Sequence, residues 1–143
     1  MASERDLYYV AVKVFLEDKG RLFIFKDRYG GWDLPGGRIQ RHEFRVLLES
    51  VIKRKMKEEL GSAVRYRLGK PEIFMRHERR EASLKRNVRI FAIGYPVLYT
   101  GGAIRLSREH TEYQWVPIAK LKPAKYFRGG WLEGVREYLR NRK

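Results

Sequence analysis

The chain has 143 residues, 43% hydrophobic and 34% charged, with no cysteine. That is enough for one domain with a proper core, spanning residues 1–143, and it excludes disulfides, thiolate catalysis and Cys-ligated zinc. The formal net charge of +15 calls for an anionic partner, a small nucleotide or RNA or a ribonucleoprotein, unless the surface simply runs basic.

No apolar run approaches the ~20 residues of a membrane span. The polar start, Met-Ala-Ser-Glu-Arg-Asp, lacks a signal peptide's apolar core. The expectation is a cytoplasmic protein without membrane contact. Asn and Gln are scarce (Asn87, Asn141, Gln40, Gln114) among many charged residues, a composition that resembles a thermophile's.

In chain order, Leu7 to Phe15 reads as a strand rich in Tyr, Val and Phe, which Ala11 and Lys13 barely interrupt. Glu17 to Gly20 is a hairpin turn, and Leu22 to Phe25 is the return strand. Asp27 to Gly31 is a loop, with Tyr29 and Trp32 flanking its glycines. Both are candidates to stack on a base, or to pack beneath the loop. A helix is predicted from about Phe44 to Leu60, stopped by Gly61. Val64 to Leu68 reads as a short strand, and Glu72 to Met75 starts another after Pro71. Arg76 to Arg86 shows no clear period and reads as an exposed loop or hairpin tip. Val88 to Leu98 is a long strand, closed by the turn at Gly101-Gly102. Ala103 to Leu106 and Glu112 to Val116 are short strands. Trp131, Leu132, Val135, Tyr138 and Leu139 have the spacing of a terminal helix packed on the sheet.

The stretch Gly31-Trp32-Asp33-Leu34-Pro35-Gly36-Gly37-Arg38 organises the rest. Pro-Gly-Gly cannot continue a strand or a helix, so it marks a tight loop that a ligand can approach closely. Behind it, Phe44, Leu47, Leu48 and Val51 make one predicted buried face. The same register continues through Lys55, Glu58 and Glu59. Charges on a core-facing stripe are costly unless they line a cleft or bind something. Two adjacent Glu residues alone also describe a solvated helix end.

Gly37, Glu43, Arg54, Met56, Glu58, Glu59 and Gly61 together resemble a Nudix box, G-x5-E-x7-R-E-U-x-E-E-x-G-U with U apolar. The gap from Glu43 to Arg54 is three residues longer than the pattern. Lys55 replaces the Glu after the Arg, and Ser62 the last apolar residue. The resemblance implies an α/β Nudix fold, a mixed β-sheet sandwiched between α-helices. It implies a hydrolase cleaving a nucleoside diphosphate linked to another moiety, such as ADP-ribose or a nucleotide sugar, with Mg²⁺ or Mn²⁺ as cofactor. It makes Glu58, Glu59 and the Gly37 carbonyl metal ligands, with Glu43 and Arg54 a salt bridge holding the loop to the helix. Nudix domains often form homodimers.

A Lys at position 55 cannot ligate Mg²⁺ while charged. At ~4 Å and an effective dielectric of ~20, two unit charges repel by a few kcal/mol. Three outcomes are open: fewer metals and a base from elsewhere, Lys55 as a fixed cation on substrate phosphate, or a fold kept for binding RNA with little catalysis. The GDP-mannose mannosyl hydrolases are similar to the chain at Pro35 to Gln40, also lack the Glu after the box Arg, and use a His in a late loop as base. His110 falls at that place, and Glu109 beside it is a candidate metal ligand. The alternative for both is an ordinary polar loop. Arg38 is a candidate phosphate contact. Arg76, Arg79, Arg80, Lys85 and Arg86 are candidates for nucleic-acid backbone, a solvated face or a dimer contact. Lys120, Lys122, Lys125 and Arg128, interleaved with Tyr126, Phe127 and Trp131, have the composition of a single-stranded nucleic-acid site, but read in preference as a basic edge on a packed terminal helix. His77 and His42 are weaker candidates; His77 could touch phosphate but reads in preference as structural.

Overall fold

The computed structural model describes residues 3–142; Met1 and Ala2 of the polar start, and Lys143, lie outside them. The sheet is built around β1 (Tyr9–Asp18), whose residues from Ala11 to Leu16 are all buried. A strand covered on both faces reads as a continuous apolar run rather than an alternation. Along one edge β1 runs parallel to β7 (Arg86–Gly101), in register from Tyr9↔Ile90 to Glu17↔Leu98. Its other edge is shared. Near its end it pairs with β2 (Arg21–Asp27) at Glu17↔Leu22, and earlier with β4 (Gly36–Arg38) at Ala11↔Arg38 through Lys13↔Gly36. The Pro-Gly-Gly stretch, expected to be a tight loop, thus enters a short strand wedged where β1 and β2 part, with Val14 N–H donating to the Pro35 carbonyl at 2.8 Å. β2 also pairs with the two-residue β3 (Trp32–Asp33) and with β8 (His110–Pro117). β5 (Arg65–Leu68) and β6 (Ile73–Glu81) complete the sheet on β7.

Two cores lie on opposite faces. Val12, Val14, Leu16, Phe23 and Phe25 pack against Val51, Ile52, Met56 and Leu60 of α1 (Leu48–Leu60). Ala11, Phe15, Leu22, Ile24, Ile73 and Met75 pack against Phe127, which follows the short α2 (Pro123–Tyr126), and against Val135 and Tyr138 of α3 (Gly129–Asn141). Tyr138 stacks on Phe15 with ring centroids 4.8 Å apart and donates its hydroxyl to Glu17. The result is the mixed sheet between helices expected from the box.

Small residues set the approach of α3. A Cβ on Gly130 would lie 2.0 Å from the Arg76 carbonyl oxygen and 2.8 Å from His77 Cα, both backbone. Nothing there can rotate away, so Gly130→Ala should force the helix off β6 and cost roughly 1–3 kcal/mol, the usual range for overpacking. A thermal melt of the variant checks this.

Three further predicted elements change. The box helix begins at Leu48, not Phe44, because the three extra residues do not lengthen it. They are absorbed in the segment after a 3₁₀ turn at Arg41–Glu43, leaving Phe44 and Leu47, expected to be buried, 86% and 71% exposed. Arg76 to Glu81 is strand rather than loop, since its backbone continues the ladder with β7 as far as Glu81↔Arg86. Only Ala82–Leu84 and Lys85 form the tip, Lys85 with φ 53°. Ala103 to Leu106 is not a strand. Its backbone instead caps α1, with Arg105 N–H donating to the Leu60 carbonyl at 2.9 Å and Ser107 N–H to that of Glu59 at 3.4 Å. The last carbonyls of a helix have no partner within it, and this segment supplies one.

Candidate active site

Glu59 lies at the centre. It is on the last turn of α1, its side chain 8% exposed, and its Oε1 accepts the Gly36 N–H at 2.8 Å. Gly36 has φ 144°, and a Cβ there would lie 2.1 Å from the Val12 carbonyl oxygen, so only glycine permits the loop to turn onto Glu59. Burial pushes the Glu59 carboxyl up to about 7, against the opposing pull of the Gly36 N–H, Lys55 and Lys13. Its Oε2 is 4.0 Å from His110 Nε2. His110 lies at the start of β8, stacked on Phe25 with centroids 3.6 Å apart and planes 13° apart. Its Nδ1 is 3.4 Å from Ser107 Oγ. Burial lowers the His110 pKa, so the imidazole is neutral near pH 7. Glu59 is therefore the member of the pair that changes charge around neutrality.

Glu43 and Arg54 form a two-pronged pair, Nε to Oε2 at 2.7 Å and Nη2 to Oε1 at 2.8 Å. This ties the 3₁₀ turn to α1 across the inserted segment. Glu43 Oε1 also accepts the Gln40 N–H at 2.9 Å, and the Arg54 hydrogen bonds hold the Glu43 pKa below the usual range. Arg54 continues to Glu58 at 3.0 Å, and Lys55 Nζ is 3.4 Å from Glu58 Oε2. Partial burial opposes the ionised form of Glu58, but Arg54 and Lys55 outweigh it and lower its pKa. Lys55 lies against Gly37: a Cβ there would be 2.7 Å from Lys55 Cε and 3.1 Å from Nζ.

The other sequence candidates scatter. Arg38 is held by Glu81 at 2.7 Å and sits 4.8 Å over the Tyr9 ring. Tyr29 is 90% exposed. Trp32 packs edge-on to Tyr126 at 5.6 Å, under Lys26. Glu109 is exposed. Arg76, Arg79, Arg80, Lys85 and Arg86 lie along the β6–β7 hairpin, which meets the box stretch at the Arg38–Glu81 ion pair. His77 stacks on Trp131 at 4.4 Å and accepts the Gly130 N–H at 3.0 Å, a structural role.

Several site residues escaped the sequence reading. Lys13 is buried on β1, 2.8 Å from Asp33 Oδ1, 3.4 Å from the Leu34 carbonyl and 4.7 Å over Trp131. A lysine inside a buried apolar strand was itself the signal, because a charge is kept there only if paired. Phe25, Ser107 and the Gly36 N–H have no comparable mark in the sequence.

The family model described as the NUDIX domain matches residues 7–134. The chain belongs to the NUDIX family. No curated protein matches it. Among solved structures, it is similar to a MutT protein from Methanosarcina mazei Go1, with 22% identity and TM-score 0.70 over 99% of this chain and 100% of that one. It is also similar to an ADP-ribose pyrophosphatase from Streptococcus suis 89-1591, with 15% identity and TM-score 0.68 over 94% and 91%. The NUDIX domain of Shewanella oneidensis NrtR complexed with ADP ribose gives 18% identity and TM-score 0.61 over 94% and 90%. At these identities the likeness establishes the NUDIX fold.

Nudix hydrolases generally use divalent metals. The donor set in this NUDIX domain does not assemble such a centre. Among the described residues no group of three or more His, Asp or Glu side chains is placed to hold a metal ion. Glu58 is engaged by two cations, and one of them, Lys55, stands between it and Gly37.

Proposed function

We propose that this NUDIX protein is a hydrolase of nucleoside diphosphates linked to a second moiety, with ADP-ribose or a nucleotide sugar as the substrate type. The observation that carries the reading is Glu59: a buried carboxyl at about 7, 4.0 Å from a neutral imidazole and beside the box loop. A general base works best with a pKa near the working pH. In this reading Glu59 takes the proton of the attacking water. His110, neutral and 4.0 Å from the Glu59 carboxylate, hydrogen-bonds the same attacking water and shares in its activation. Lys55 offers its charge to the diphosphate. Two structural relatives, a Streptococcus suis ADP-ribose pyrophosphatase and a Shewanella oneidensis NUDIX domain complexed with ADP ribose, support the substrate class.

The test is product analysis over ADP-ribose, nucleotide sugars, dinucleoside polyphosphates, nucleoside triphosphates and capped RNA, each with and without Mg²⁺ or Mn²⁺. Cleavage of a diphosphate-linked substrate is expected. His110→Ala should lower kcat by ~10²–10⁴-fold, the usual weight of a general acid or base. Unchanged turnover in that variant would remove His110 from the chemistry.

One observation favours a second reading, an RNA- or ribonucleoprotein-binding NUDIX domain with little catalysis. The ion pairs on the β6–β7 hairpin are Arg38–Glu81, Arg89–Asp6 and Arg89–Glu78. Among the described residues, Arg76, Arg79, Arg80, Lys85 and Arg86 form none, so their charge is available to a polyanion. Silence across the small-molecule panel, with retention of RNA at low salt, selects this reading.

A further inference from the structure

Lys55 stands one turn before Glu58 and Glu59 on α1, with its side chain only 18% exposed. Its stem crosses Gly37 so closely that any side chain at that position would displace the ammonium. The head reaches Glu58 Oε2 at 3.4 Å. It also favours ionised Glu59, although burial outweighs it there. A single positive group therefore meets the loop glycine and Glu58 directly and acts on Glu59 only through its field. Arg54 closes the same arrangement from the other side, bridging Glu43 and Glu58.

We propose that the Lys55 ammonium is a built-in cation that stands among Gly37, Glu58 and Glu59 in place of a divalent metal ion. A metal entering there would meet a like charge paired with Glu58, and would have to displace it. The glycine at 37 leaves the room that the lysine stem fills. The box thus keeps its positive charge by covalent attachment and does not depend on free divalent ions to organise its loop.

The inference makes a gain-of-function prediction. Lys55→Glu removes the ammonium and adds a third carboxylate to the two already on this turn. Oxygen donors gathered in this way suit a hard divalent cation. Mn²⁺ binding would be followed by loss of the free-ion electron paramagnetic resonance signal, and stability by thermal melts with Mn²⁺ or with a chelator. Neither readout involves turnover, so the outcome does not depend on the hydrolase reading.

For the wild type, weak Mn²⁺ binding and a melting temperature indifferent to metal and chelator are expected. Lys55→Glu should bind one Mn²⁺ at least tenfold more tightly and melt higher with Mn²⁺ than with chelator. Adding Glu59→Gln should remove that gain. If Lys55→Glu does not fold, Lys55→Gln, which deletes the charge without adding one, should still bind severalfold more tightly than wild type. Wild type binding Mn²⁺ as tightly as the variants, or no gain in either of them, overturns the inference.

Discussion

Glu59→Gln is expected to make the protein more stable above pH 7 while abolishing turnover. The carboxyl has an ordinary value of 4.5 and is pushed up to about 7 in the fold. A raised carboxyl favours the folded state while it is protonated. That contribution is complete below about 4.5, shrinks as pH rises through 7, and is gone above it. The difference corresponds to roughly 3 kcal/mol by linkage. Gln carries no charge at any pH, and its oxygen still accepts the Gly36 N–H. The variant should therefore match wild type near pH 4.5 and exceed it by roughly 3 kcal/mol at pH 8. Denaturant melts at the two pH values, in metal-free buffer, measure this. A variant that is less stable at pH 8 would mean that Glu59 is held as a favourable ion pair and is not poised as a base.

Arg54→Ala has the opposite sign and comparable size. Glu43 is 4% exposed, and its two oxygens are both held by Arg54. Removing the arginine leaves a buried carboxylate with only the Gln40 N–H. Breaking a buried pair in this way costs about 3–5 kcal/mol. The lower end applies here, because Arg54 itself keeps a quarter of its surface in water. For a chain of this size that is a fall in Tm of roughly 10 °C. The loss is expected near neutral pH and should shrink as Glu43 is protonated in acid. Arg54→Lys should recover little, since one ammonium cannot grip both oxygens. Calorimetry at pH 7 and pH 4 on both variants tests the size and the pH trend.

The parts of the fold legible in the sequence were those with strong local signals. The apolar run of β1, the turn at Lys19-Gly20 and the spacing of Trp131, Leu132, Val135 and Tyr138 each carry their own instruction. So does the Gly61 stop, whereas Gly36 and Gly37, expected in a loop, form β4 because β1 lies beside them. What sequence missed was decided by partners far along the chain. Arg76 to Glu81 has exposed arginines that hide its alternation, and it is strand because β7 lies beside it. Ala103 to Leu106 has strand-like residues, but the open end of α1 takes its backbone first. At the inserted residues next to the box, Phe44, Leu47, Leu48 and Val51 keep helical spacing, yet the helix begins only at Leu48. The site followed the same division. The Glu43, Arg54 and Glu59 positions were marked by motif, whereas Lys13 and Phe25 belong to the site only because the sheet brings β1, β2 and β8 together around the loop.

The most direct test of the central claim is product analysis of ADP-ribose hydrolysis by wild type and Glu59→Gln side by side. The account predicts cleavage of the diphosphate by wild type and none by the folded variant. Equal cleavage by both proteins would contradict it, because the buried carboxyl would then take no part in the chemistry.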